Sequence, residues 1–130
     1  GALAGLVAIT AEPLTPTPGL AMVIGSIGAM IMYFGTKMLE SFGIDDVVGA
    51  IPVHMFAGIF GTLVVPISNS GTSFGTQFVG TISVCVFSFV LSYLVFLALK
   101  ATVGLRISKA AEKLGTDKSE IGVTAYAIRD

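Results

Sequence analysis

Charge is what this sequence has least of. Acidic and basic side chains make up 12% of the 130 residues, about half the share in a soluble domain, and the mean hydropathy is +0.92. Tryptophan is absent, and there is one cysteine and one histidine. A lone Cys85 excludes an internal disulfide and reads as helix packing. A lone histidine also excludes bis-histidine haem ligation, which a haem-bearing anchor of four helices would need. A net charge of −1 without a basic patch gives no reason to expect nucleic acid.

Where the charges fall is more informative than how few there are, because a bilayer excludes them from its core and not from its flanks. No Asp, Glu, Lys or Arg lies between Asp46 and Lys100, a run of 53 residues. About 20 apolar residues cross the roughly 30 Å hydrocarbon layer, so this run must turn once. The turn is written in Ser68 to Gly75, a cluster of small polar residues. Two spans are expected, Val47–Ile67 and Thr76–Leu99. A third uncharged run, Leu20 to Thr36, lies between the Pro13/Pro16/Pro18 segment and Lys37. Gly1 to Ala11 is too short to cross and lacks a basic leader and cleavage site. It reads as the second half of a helix whose start is absent, as in a fragment.

Six of the seven basic residues are Lys100, Arg106, Lys109, Lys113, Lys118 and Arg129. By the positive-inside rule the segment after Lys100 is cytoplasmic. Threading backwards, the Ser68–Gly75 loop is external and the Lys37–Asp46 loop internal. The internal loop holds the one other basic residue, Lys37, and the external connections hold none.

His54 is the single ionisable group inside an expected span. It lies eight residues past Asp46, about 12 Å along a helix that begins there. An ionisable residue at depth needs a reason, since hiding it from water costs free energy. Two readings stay open: a functional group, or a neutral histidine bonded to a neighbouring helix. A neutral imidazole donates one hydrogen bond and accepts another, which suits a narrow pore passing a small polar molecule. Pro52, two residues before it, either kinks the helix and frees a carbonyl or stands in the first turn of a helix that starts near Ala50. Asp45 and Asp46 precede the helix, where carboxylates cap free N–H groups.

Small residues recur at helical spacing, at Gly1/Gly5, Gly25/Gly28, Gly58/Gly61 and Ser88/Ser92, the pattern of helices that approach closely in lipid. Phe56, Phe60, Phe87, Phe89 and Phe96 read as packing or lipid-facing groups. After Lys100 the sequence changes character, with a polar stretch of mixed charge that is too short for a core of its own.

Three segments together resemble the ammonium transporter family. Gly1-Ala-Leu-Ala-Gly-Leu-Val-Ala-Ile-Thr-Ala11 is similar to the start of a late helix. Asp45-Asp46, Val53-His54 and Gly58-Ile-Phe-Gly61-Thr62 resemble the helix that bears the second of two paired pore histidines. Thr102-Val-Gly-Leu-Arg-Ile-Ser108 and Glu120-Ile-Gly-Val-Thr-Ala-Tyr126 resemble the membrane exit and tail motif. The resemblance implies an all-α polytopic transmembrane bundle of eleven helices, of which this chain would supply the last four. Residues 1–106 would be membrane helices, the first truncated, and 107–130 a cytoplasmic tail.

The function implied is transport of ammonium or ammonia, not enzymatic catalysis, with no cofactor or metal ion. His54 would be the second pore histidine, with Ala50 and Val53 near it lining the pore, and with Asp46, Pro52, Gly58 and Gly61 as structural neighbours. Gly104, Arg106, Gly122 and Tyr126 would belong to a regulatory tail. Also implied are a homotrimer in the cell (inner) membrane, a cytoplasmic C-terminus and a PII-type regulatory protein docking there. The sequence departs from the family at Met55 and Phe56, where small residues are common, and at Glu12 with its prolines. In the tail, Glu120-Ile-Gly stands where a His-Gly-Glu pattern is frequent. A second class of reading is an ammonium-sensing, transporter-like domain of a signalling protein, but no signalling domain is written in this sequence.

The charge asymmetry yields a topological test. In the full-length protein with Cys85 replaced, a cysteine at Ser70 should react with an impermeant thiol reagent applied outside, and one at Lys113 should not. The reverse pattern overturns the orientation.

Overall fold

Proline and small polar residues punctuate the chain, and the helices start and stop at them. Thr17 caps a helix by accepting the Leu20 N–H at 3.3 Å, with Pro18 in the first position, where its missing N–H costs nothing. That helix ends at Gly43, whose φ of +68° suits glycine. There the Ile44 N–H reaches the Leu39 carbonyl and the Gly43 N–H the Glu40 carbonyl, both at 3.0 Å. Beyond the last span, Ser108 caps a short helix by accepting the Ala111 N–H at 3.1 Å.

The computed structural model describes residues 1–125. Its regular elements are α1 (Ala2–Thr10), α2 (Pro18–Ser41), a π-helical segment (Ile51–Phe56) running into α3 (Ala57–Ser68), α4 (Phe74–Thr102), α5 (Lys109–Leu114) and a π-helical turn (Asp117–Ile121). There is no strand among the described residues. Three helices are long and apolar enough to cross a membrane: Pro18–Ser41, Ile51–Ser68 and Phe74–Thr102, with mean hydropathy 1.6, 1.7 and 2.5. The expected all-α, polytopic class is what the chain has.

The helices and the uncharged runs do not share boundaries. α2 continues past Lys37 to Ser41, and α4 takes in Lys100. The middle span begins at Ala50, not Val47; Val47 and Val48 are 87% and 83% exposed in the preceding loop. A charge marks where hydrocarbon ends, whereas backbone hydrogen bonding continues into the interface until a cap stops it.

Residue contacts divide the chain into two units, Gly1–Phe87 and Ser88–Asp130, with the division inside α4. In the first unit α1 packs against both α2 and α3. The core is built from Ala4, Ala8, Ile24 and Ala57, with Val7, Ile9, Leu20, Met32, Val53, Phe60 and Val64 against it. α1 reaches its neighbours through small residues. A Cβ on Gly5 would lie 3.1 Å from the Gly25 carbonyl oxygen, and one on Gly28 would lie 2.6 Å from the Ala8 Cβ. A Cβ on Gly61 would collide with the Ala8 carbonyl itself. Gly58, by contrast, faces only an ordinary contact with Val7 Cγ1 at 3.6 Å.

Two hydrogen bonds tie the ends of these helices together. Asn69 Nδ2 donates to Glu12 Oε2 at 2.9 Å, and Thr15 Oγ1 to Ser68 Oγ at 3.3 Å. In the second unit Phe89 and Tyr93 stack with centroids 6.2 Å apart. α4 has no fully buried residue, and Ser88 and Ser92 are exposed.

The contrast between the two glycines of α3 can be measured. Gly61→Ala should destabilise the purified protein by about 1–3 kcal/mol, the range for overpacking a filled site, because the obstacle is backbone and cannot rotate away. Gly58→Ala should be within about 0.5 kcal/mol of wild type. Thermal unfolding followed by circular dichroism in detergent compares them, and equal midpoints would refute the packing account.

Candidate functional site

The site is built where a loop enters a span. Asp46 stands in the loop, and its two carboxylate oxygens accept the first free N–H groups of the helix: Ala50 N–H to Oδ1 at 2.9 Å and Ile51 N–H to Oδ2 at 2.7 Å. The chain can fold back this sharply because Gly49 adopts φ +69°, with its N–H on the Asp46 carbonyl at 3.0 Å. Asp46 is thus the cap that its place in the sequence suggests. Asp45 is exposed and makes no such bond among the described residues.

Pro52 follows in the first turn, which is where an absent N–H is tolerated. It is fully buried. Of the two readings that the sequence leaves open for Pro52, the early-turn position is the one observed, and the turn is wide as well, since Ile51–Phe56 is π-helical. At its end the Ala57 N–H is shared between the carbonyls of Pro52 and His54. Single π-helical turns are rare and concentrate at functional sites.

His54 lies in the middle of this turn. From Ala50 the helix carries it about 6 Å along the axis, half the figure that counting from Asp46 gives, because residues 46–49 are loop. Its side chain is exposed on this chain, and so is Ala50, four residues earlier. The two share one face of the turn. Val53 is half-buried and packs against the core cluster of α1, α2 and α3. Gly58 and Gly61 sit on the packed side of α3, and only Gly61 is a close crossing point.

The packed side of the turn rests on a residue that sequence reasoning missed. A Cβ on Gly35 would lie 2.6 Å from Phe56 Cδ2 and 3.2 Å from Pro52 Cβ. The bare backbone of α2 therefore seats the Phe56 ring and Pro52. A signal existed: Gly28 and Gly35 are seven apart, hence on one face of α2, and both are buried. Beside the turn an open cleft of about 100 Å³ has Glu40, Asp45 and Asp46 on its wall. No cluster of three or more metal-ligating side chains occurs among the described residues.

Gly104, Arg106 and Gly122 belong to the second unit. Gly104 follows α4, its N–H on the Leu99 carbonyl at 2.9 Å, and Arg106 is exposed just beyond. Gly122 closes the Asp117–Ile121 turn. Asp117 Oδ2 accepts the Ala125 N–H at 2.8 Å; that bond and one from the Lys118 N–H hold its carboxyl below the usual carboxylate range. Tyr126 lies outside the described residues.

With this geometry in view, the chain can be set beside known proteins. Residues 1–126 match the family model described as Ammonium Transporter Family. The chain is 36% identical to ammonium transporter Amt2 of Archaeoglobus fulgidus, over 97% of this chain and 31% of that protein. A putative ammonium transporter of Synechocystis is 39% identical, over 92% of this chain and 24% of the relative. Ammonium transporter 1 of Schizosaccharomyces pombe is 31% identical, over all of this chain and 31% of the relative. The chain spans a third or less of the length of these relatives.

The cap is the most exactly placed polar contact of the site. Asp46→Ala should cost about 1–3 kcal/mol, the range for leaving charge-capped N–H groups without a partner, and Asp46→Asn less. Hydrogen exchange at the Ala50 and Ile51 amides should quicken in the alanine variant. Unchanged exchange there would remove Asp46 from the cap.

Proposed function

Because the chain belongs to the ammonium transporter family, we propose that it contributes one wall of a membrane pathway for ammonium or ammonia, with His54 as a pore histidine. The observation that carries this reading is the position of the sole histidine. It stands on the exposed face of a membrane-length helix, in a π-helical turn whose opposite side is locked into the core.

The chemistry follows from the side chain. In a dry pathway a neutral imidazole can accept a hydrogen bond from ammonia at one nitrogen and donate at the other, and so pass a small polar molecule without a fixed charge. Ala50 leaves room beside it, and Val53 stands at the edge of the same turn. In this reading residues 1–106 form membrane helices with the C-terminus cytoplasmic, and the carboxylate-walled cleft lies at the cytoplasmic end. Its negative potential would favour cations there. A homotrimer in the cell membrane, and a 107–130 tail (Gly104, Arg106, Gly122 and Tyr126 at its motifs) that docks a PII-type regulatory protein, complete the proposal.

The test is electrical. In the full-length protein, reconstituted in solid-supported membranes, His54→Ala should fold and insert. A hydrogen bond lost in a dry site costs about 1–3 kcal/mol. Ammonium-dependent current should therefore fall about tenfold or more, or selectivity over potassium should be lost if water fills the vacated space. His54→Glu should keep part of the flux, since a protonated carboxyl also donates and accepts. Wild-type current and selectivity in His54→Ala would make His54 a packing residue and end the proposal.

A further inference from the structure

A π-helical turn is wider than an α-helical one and has poorer intrinsic support, so something outside it must hold its shape. In the His54 turn three supports can be named. Asp46 holds the first N–H groups from the loop side. α3, which continues the turn, is fixed where Gly61 meets the Ala8 carbonyl. Between those two points the turn packs on α1 and α2, with Val53 against the core cluster, and its close approach to bare backbone is made on α2 at Gly35.

The contact is bracketed around the histidine. Pro52 lies two residues before His54 and Phe56 two residues after it, and both rest on the same glycine: Phe56 Cδ2 and Cε2 lie 2.6 Å and 3.0 Å from where a Cβ of Gly35 would be, and Pro52 Cβ lies 3.2 Å from that point. Pro52 is fully buried and Phe56 half-buried, whereas His54 between them is exposed. Two side chains seated on one spot of α2 fix how the turn is rotated about its axis. That rotation decides where the imidazole points. The hydrogen bonds do not decide it alone, because the Ala57 N–H divides between the Pro52 and His54 carbonyls, one bond closing a wide turn and the other a tight one.

We propose that Gly35 and the Phe56 ring it seats are positioning residues for His54, acting as a lock on the rotation of the π-helical turn. The inference rests on the reading of His54 as a pore histidine and assigns no contact with ammonium to Gly35 or Phe56. A methyl group at Gly35 would push the ring by roughly 1 Å, a displacement that in well-aligned sites costs up to about a hundredfold. Removing the ring would instead leave the turn free to rotate.

The experiment reads the ratio of ammonium to potassium current, which does not depend on how much protein inserts, in the full-length protein. Gly35→Ala and Phe56→Leu should each lower that ratio severalfold. The double variant should recover toward wild type, because the added methyl occupies space the ring has left. In a His54→Ala background, Gly35→Ala and Phe56→Leu should change the ratio no further. Should Gly35→Ala fail to fold, Phe56→Leu alone carries the test, with and without His54→Ala. Wild-type ratios in the foldable single variants, or effects that persist undiminished without His54, would overturn the lock. A silent His54→Ala would instead overturn the pore reading. The two failures are therefore distinguishable: loss of selectivity in His54→Ala together with wild-type ratios in Phe56→Leu and Gly35→Ala refutes only the positioning role.

Discussion

The first unit depends on one close approach, the Ala8 carbonyl of α1 against the bare backbone of Gly61 in α3. A nine-residue helix is marginal in isolation and has little side-chain area to bury, because its inward face is Ala4, Gly5 and Ala8. What it offers is proximity. With no Cβ at Gly61, Gly28 or Gly25, α1 settles against α2 on one side and α3 on the other, and dispersion between backbones does the work that large apolar side chains do in water. In lipid, where burying a leucine gains little over leaving it against acyl chains, this is the economical way to hold helices together.

The histidine turn inherits its order from that packing. α3 is fixed on α1, α2 is fixed on α1, and the Ile51–Phe56 turn is then squeezed between the end of α3 and the glycine face of α2. Asp46 closes the remaining degree of freedom by holding the first two N–H groups. A segment with rare geometry thus sits in a frame that overdetermines it, which is the condition under which such geometry persists. The exposed face of the turn, with Ala50 and His54, is what the frame leaves free.

Much of this was legible from residues. The charge gap from Asp46 to Lys100 and the polar cluster at Ser68–Gly75 implied two spans, and both are present; Leu20–Thr36 implied the third. Asp46 was legible as a cap because a carboxylate before a proline-bearing first turn has few other uses. The distance of His54 along its helix was overcounted because counting from the last charge treats loop residues 46–49 as helix. Gly35 was missed because nothing in its neighbourhood names the element that will press on it, and Phe56 looked like any other aromatic residue on an apolar helix.

Hydropathy and charge act along the chain, one residue at a time, and so the sequence by itself determined the membrane class, the number of spans and the family motifs around His54. Helix starts, the crossing points among many glycines, and the face on which the histidine emerges depend on which surfaces meet. Gly58 and Gly61 are indistinguishable as letters, yet one faces a movable valine methyl and the other a carbonyl. Only the tertiary structure decided between them, because steric exclusion is a property of two backbones at a given distance and not of either sequence alone.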